Sequence, residues 1–481
     1  MLKKICLLFF LISCLSACHK QEANQHQEIR FAVAQAPINL DPRYATDAAS
    51  ARVNRLLYRS LVGFDVASKP IADLATWRIV SATQYRFKLG SVGRTFHDGG
   101  LLTAKDVQAT YESLLALKDS PVSGEFSNVS HIQVLDNDTL DFYLRVADNA
   151  FPAKLIIGIL PASQILQGRD FSHHPLGSGP IEFSNWTNTL QLKRVGDGQS
   201  ITFLEVRDPT VRILKLIRGE VDILQGDLTP ELVGYLKGQS NIKVIEGNGA
   251  NFSYLGFNLQ DNVLTNLTVR QAIAHAINLQ LIIDQVLVGH TRPAGAILPP
   301  EHWAGNAALE PYTYNPELSK QLLQKAGVKL PFRLVYKTST DAQRVRLATI
   351  MQAQMAEAGI NLEIKSLDWG TFFEDVKQGH FQLYGLTWVG INTPDIYTRA
   401  FGSDSVPPKG FNRGRFSDQH LDGLLEKQDW HSATNYIHQQ LPYIPLWYEG
   451  QFAATRADIS QYAPKADGNW DDLAIVTRTT H

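Results

Sequence analysis

The sequence predicts an α/β protein built from several domain-sized units. Three observations carry that reading. A length of 481 residues corresponds to roughly three ordinary domains. Hydrophobic residues make up 44% and charged residues 19%, a balance that supports packed cores. From residue 251 onward, short strand patterns alternate with helical ones, the arrangement that builds sheets flanked by helices.

The N-terminus comes first. "MLKK" supplies positive charge and "ICLLFFLISCLSAC" a short apolar run, so residues 1–17 read as a secretory signal, too short for a membrane span. The run closes on Leu15-Ser16-Ala17-Cys18, which resembles the lipobox of bacterial lipoproteins and implies lipidation of Cys18. All three cysteines, Cys6, Cys14 and Cys18, lie here, so the processed chain has no disulfide. Residues 18–27 form a polar tether. Loss of Lys3 and Lys4 leaves 43 basic against 47 acidic side chains, a balance unlike that of a nucleic-acid binder.

After the tether, residues 28–64 read as a strand, a turn at Asp41-Pro42, and a helix with Val53, Leu56, Leu57 and Leu61 on one face. "YRFKLG" alternates as a strand. Thr103 and Asp106 form a capping-box pair at a helix start, a structural role. Residues 131–146 read as a hairpin around Asn137-Asp138. Gly177-Ser178-Gly179-Pro180 lacks the lysine of a phosphate loop and precedes a strand, so it reads as a turn. "VRILKLIRGEVDIL" is a helix ending near Gly219, then a buried strand. "NFSYLGFNLQ" (251–260) alternates as a strand, and residues 268–289 read as one long helix opened by Thr268 and Gln271. "NPELSKQLLQKAG" starts on Asn-Pro and stops at Gly327; "AQRVRLATIMQAQMAEAG" is another helix, feeding the strand "INLEIKSL". Finally, "GLTWVGINTPDIYTR" (385–399) is a buried strand ending on Trp388, a turn at Gly390, and a helix start.

Catalytic motifs are missing. There is no G-x-S-x-G, H-E-x-x-H, C-x-x-C or Walker A pattern, and the fourteen histidines show no ligand spacing. The reading is a binding protein, with no enzymatic activity, no cofactor and no metal.

Several segments in order resemble the extracytoplasmic solute-binding proteins of peptide- and nickel-type ABC importers, family 5. They are "LDPRYATDAASARVNRLLYRSLVGFD", "YRFKLGSVGRTFHDGGLLTAKDVQATYESLL", "GSGPIEF", "GEVDIL", "LGFNLQDN", "MAEAGINLEIKSLDWGTFFEDVKQGHFQLYGLTW" and "LPYIPLWY". The resemblance implies a two-lobed periplasmic-binding-protein fold with a hinge and a ligand cleft. Lobe I would comprise residues 28–63 and 176–258, with an extra domain at 64–175. Lobe II would span 259–461, and residues 462–481 would return to lobe I. It also implies a monomer that hands a peptide or other small solute to permease subunits and their ATPases, held to the membrane by its lipid. A sensor lipoprotein that kept the fold and lost transport is the other reading of the same resemblance.

By position, the resemblance places Trp388, Trp369, Tyr254 and Asn251 in the ligand cleft. Gly390, Asn392 and Asp395 follow on the turn, and Thr46 and Asp47 face them from lobe I. One departure stands out. Relatives that bind dipeptides and oligopeptides typically carry an Asp three residues after the Trp, where it grips the ligand amine; here that residue is Ile391. Asp395 is an alternative grip, although Thr393-Pro394-Asp395 also reads as N-cap, N1 and N2 of a helix. A free peptide, a blocked peptide and a non-peptide solute all stay open.

Overall fold

The computed structural model describes residues 28–45, 47–287 and 289–479. The expected signal segment, Cys18, the tether and Thr46 lie outside the described residues. Among those that are described, no helix is long and apolar enough to cross a membrane.

One eleven-stranded sheet runs through the whole molecule. Its order is Ile360–Leu367, Phe332–Ser339, Leu383–Trp388, Ile242–Phe257, Tyr443–Arg456, Ile223–Gln225, Ile29–Val33, Ser200–Glu205, Leu190–Arg194 and Ile181–Trp186, with Arg292–Pro293 added on Tyr443–Arg456. The two longest strands, Ile242–Phe257 and Tyr443–Arg456, belong to both halves. They pair antiparallel twice, Ile242–Gly247 with Gln451–Arg456 and Asn251–Gly256 with Tyr443–Glu449, and the register breaks between Gly247 and Asn251. That break, where both long strands pass from one half to the other, is the candidate hinge. Only glycine fits its closest approaches: a Cβ on Gly249 would sit 1.7 Å from the Glu449 carbonyl oxygen, and one on Gly450 2.5 Å from the His290 nitrogen.

On one side of the hinge, Ile29, Phe31, Leu192, Phe203 and Ile223 pack with the late residues Trp470, Leu473 and Val476 to form the core of lobe I. On the other, helices Leu267–His275, Leu279–Val286, Pro316–Lys325 and Ala342–Glu357 cover one face of the lobe II sheet. An aromatic cluster that includes Phe252, Tyr254, Tyr384, Phe401 and Tyr443 covers the opposite face. A third core, drawn from Leu61 to Ile159, packs helix Ala104–Ala116 on a separate four-stranded sheet. Leu160, Phe171 and Leu176 pack back into lobe I.

Most of the expected elements occur where the pattern placed them. The Thr103 amide and hydroxyl both donate to Asp106 Oδ2, at 2.7 and 2.9 Å. Gly177 and Gly179 serve close packing, since a Cβ on either would stand 2.0–2.2 Å from the carbonyls of Leu57 and Leu56. Three expectations need correction. The helix expected at 268–289 is two helices: Asn266, not the expected Thr268 with Gln271, caps the first by accepting from the Thr268 amide at 2.9 Å, and Asn278 accepts from the Leu281 amide at 3.0 Å and caps a new one. The first helix is Ala48–Leu57, so Leu61 lies beyond it and joins the third core. The strand expected at 251–260 begins at Ile242, because Gly247-Asn248-Gly249-Ala250 hides its alternation.

Candidate ligand-binding site

Strands Phe332–Ser339, Ile360–Leu367 and Leu383–Trp388 run parallel, so their carboxyl ends share one rim of lobe II. Ligands in open α/β sheets bind outside such ends. Each strand leads into a helix: Asp341 caps Ala342–Glu357 and Asp368 caps Trp369–Gln378, while Asp395–Phe401 follows the Gly390 turn. Trp388 pairs opposite Phe252, next to the hinge, which puts this rim at the junction of the lobes. Two contacts bridge the lobes further out. The Trp303 amide donates to the Ala67 carbonyl at 2.9 Å, and Arg346 Nη1 to Glu231 Oε1 at 2.7 Å.

The rim carries a continuous stack. Tyr254, 5% exposed, lies parallel to the half-buried Trp388 with centroids 6.2 Å apart. The Arg413 guanidinium sits 4.6 Å from the Trp388 centroid and 5.5 Å from those of Phe373 and Phe411. Phe373 stacks on Trp369 at 5.5 Å, and Trp369 is 53% exposed. Arg344 lies 5.9 Å from Trp369, and Arg399 lies 4.4 Å from Phe411. Guanidinium groups on aromatic faces are mutually stabilising and hold flat surfaces in place. Beneath Trp388, a cavity of about 20 Å³ lined by Tyr254, Tyr384, Phe401 and Tyr443 has room for little more than a water molecule. That cavity is too small to take a peptide-sized solute.

The remaining expected residues divide by what they touch. Asn251 stands at the hinge opposite Glu449, its Oδ1 buried and without a partner. Gly390 has φ +68° and open space where a Cβ would point. Ile391 is half-buried against the aromatic cluster. Asp395 is the first residue of its helix, so the expected cap is shifted by one: Pro394 and not Thr393 stands at the N-cap, and the Thr393 hydroxyl donates to the Asp395 carboxylate instead of capping an amide. Asp47 accepts from the Ser50 amide at 2.8 Å and caps the first helix. The Asn392 carbonyl accepts from His302 Nε2 at 3.0 Å, while His302 Nδ1 accepts from the Ala304 amide at 3.0 Å. Burial holds this imidazole below its usual value, opposed by the Asn392 bond and the charge of Asp65. It is neutral at physiological pH and pins the turn that follows Trp388.

Sequence reading missed Phe373, Phe411, Arg413, Arg344, Arg399 and His302. Phe373 had a signal, standing four residues after Trp369 on one helix face. Arg344 and Arg399 lie inside segments already read as helix and helix start, where nothing local marks them as facing aromatic rings, and Arg413 lies outside any motif. Among the described residues, no group of three His, Cys, Asp or Glu side chains is arranged to hold a metal.

Comparison with known proteins gives the family and the fold. Residues 69–406 match the family described as "Bacterial extracellular solute-binding proteins, family 5 Middle". The chain is 25% identical over 385 residues to the dipeptide-binding protein of Escherichia coli (strain K12), covering 72% of each chain. It is 26% identical to a glutathione-binding protein of Escherichia coli O6, over 88% of this chain and 89% of the relative. A solved structure, HbpA2 from Haemophilus parasuis, superposes with a TM-score of 0.82 at 23% identity, over 94% of this chain and all of that one. The fold is thus that of the two-lobed periplasmic binding proteins.

Proposed function

Because this chain belongs to family 5 of the bacterial extracellular solute-binding proteins, we propose that it captures a short peptide or similar small solute and delivers it to the permease of an ABC importer. The observation that supports this best is the aromatic–arginine stack at the strand ends beside the hinge. Aromatic faces give a mixed set of ligands large contact area at little rotamer cost. Trp388 and Trp369 would touch the ligand directly. Tyr254 supports Trp388 from beneath, and Asn251 offers a free carbonyl at the hinge. The open space at Gly390 and the backbone of Asn392 suit the main-chain pairing of an extended peptide. Asp395 keeps its helix-start role. Thr46 and Asp47 are proposed on the facing wall of lobe I. Closure then follows from tighter binding to the closed form, with no chemical step.

A lipid on Cys18 would hold the receptor, as a monomer, near its permease. The names of the relatives support a peptide, including a modified one such as glutathione. Native mass spectrometry of protein purified from its own host tests the reading. The expected result is a co-purified small solute or short peptide. An empty cleft that does not close on any added peptide would count against it.

A further inference from the structure

Resting on the receptor reading above, we propose that the small unit around the third core is a clasp. Its hairpin turn at residues 65–69 grips the lobe II loop 299–305 and holds the lobes shut whatever solute lies between them. The contact is the bond from the Trp303 amide to the Ala67 carbonyl, 2.9 Å long. It joins main chain to main chain, so it depends on where two turns stand and not on a flexible side chain. Neither residue belongs to the aromatic stack, so the grip does not depend on which solute is bound.

The arm is formed before it grips. Strands Val62–Phe64 and Pro70–Ala72 pair as a hairpin. Asp65 Oδ1 accepts from the amides of Ala67 and Lys69 at 2.8 and 2.9 Å, and the Ser68 amide donates to the Asp65 carbonyl at 2.9 Å. Those bonds fix the turn and leave the Ala67 carbonyl unused by its own hairpin. At the root, Val62 lies in the third core and its amide donates to the Leu155 carbonyl at 3.2 Å. The unit is tied to lobe I in turn. The His97 amide and Nε2 donate to the carbonyls of Gly177 and Gly179, at 2.9 and 3.0 Å.

The loop it meets is equally fixed. The His302 amide donates to the Pro299 carbonyl at 2.9 Å, and the Gly305 amide to the His302 carbonyl at 2.7 Å. Glu301 pairs with Arg292, whose guanidinium lies 5.3 Å from the Tyr448 centroid on the crossing strand. The His302 ring holds the Asn392 carbonyl, so the loop that is gripped also braces the turn after Trp388. Two turns fixed in advance lose little entropy when they meet. The other cross-lobe contact, Arg346 with Glu231, joins two exposed side chains and contributes little. In an open form both backbone groups of the clasp return to water. The bond therefore counts only once the lobes have closed: it slows release and leaves capture unchanged. One such bond slows release by about three- to tenfold.

Two measurements test the clasp. Ala67→Cys combined with Trp303→Cys keeps both backbone groups, and mild oxidation without solute should join the pair. Peptide mapping locates the new disulfide, since all native cysteines lie within residues 1–18. Stopped-flow kinetics then follow trialanine in free, N-acetylated and amidated forms. They compare the wild type with a chain in which Asn-Gly, a tight hairpin turn, replaces residues 65–69. We expect release to be about three- to tenfold faster in the shortened chain, with association unchanged. Val66→Ser, which alters only the exposed tip of the turn, should release at the wild-type rate. If the shortened chain does not fold, Trp303→Pro, which has no amide hydrogen, is measured in its place. No cross-link, with or without peptide, overturns the inference. So does release within about 1.5-fold of wild type in a folded variant, and so does a change confined to association. Tripeptides that fail to bind the wild type sink the peptide reading instead, and the cross-link then decides the clasp by itself.

Discussion

Each lobe holds an aromatic cluster topped by an arginine, and the two clusters have different fates. In lobe I, Trp470 packs with its centroid 5.0 Å from Phe31 and 5.4 Å from Phe203, Tyr462 lies edge-on to Phe31 at 6.0 Å, and Arg52 sits 5.3 Å from Trp470. Trp470 is 3% exposed. Burial pulls the Arg52 guanidinium below its usual value, and Asp227, Tyr462 and Asp467 push it back, so acids stand near that charge. In lobe II the stack runs outward, from buried Tyr254 through half-buried Trp388 to exposed Trp369, and among the described residues its arginines, like Arg52, form no ion pair. The same side-chain chemistry makes a core in one lobe and a surface in the other. What separates them is the exposure gradient, not residue type.

Substitutions can break this contrast. The largest effect is expected from Trp470→Ala, which opens a cavity in lobe I and should cost about 3–5 kcal/mol of stability, read by urea denaturation. A loss below about 1 kcal/mol would make the lobe I cluster another surface. Trp388→Ala should weaken ligand binding at least tenfold, about 1.4 kcal/mol, with the fold kept by circular dichroism. Unchanged affinity would remove Trp388 from the site. A smaller effect concerns His302. Its folded value lies below the ordinary one near 6.5, so its contribution is complete above that pH and is lost as pH falls through it toward the folded value. Protonation takes away the Nδ1 lone pair that receives the Ala304 amide. Affinity should therefore hold above pH 6.5, fall as the pH is taken further down, and lose that dependence in His302→Gln; a wild-type profile flat into the acid range would detach this ring from the turn. The smallest change is expected from Arg346→Ala, which removes an exposed cross-lobe pair with Glu231. Affinity should change by less than about threefold, and less still at high salt.

Local signals in the sequence were enough for elements that close on themselves. Asn315-Pro316 and Gly327 bracket a helix at Pro316–Lys325 because cap and stop act within a few residues. The register of the crossing strands was not readable, since it depends on Glu449 meeting Gly249 two hundred residues away. The split helix at Asn278 was missed for a related reason: apolar spacing continued across it, while Gln354 from another helix donates to and accepts from its backbone. The same limit applied at the candidate site. Trp388 and Trp369 stand beside recognisable motifs, whereas Arg413 gains its meaning only from rings contributed by three separate segments.

The last strands of lobe I have a consequence for the order of assembly. Trp470 lies in its core, Arg478 pairs with Asp222 at 2.8 Å and donates to the Glu28 carbonyl, and Arg194 reaches the Val476 carbonyl. Lobe II residues from 259 to 448 form one uninterrupted run of chain, since Tyr443, Ile444, Leu446, Trp447 and Tyr448 belong to its cores. During synthesis that run is complete about 30 residues before Arg478 emerges and lobe I has all of its parts. The lobe made first in sequence is thus the last able to finish folding. A chain truncated before Trp470 should leave its opening strand without a finished core, and so stay a substrate for chaperones and proteases while lobe II is already formed.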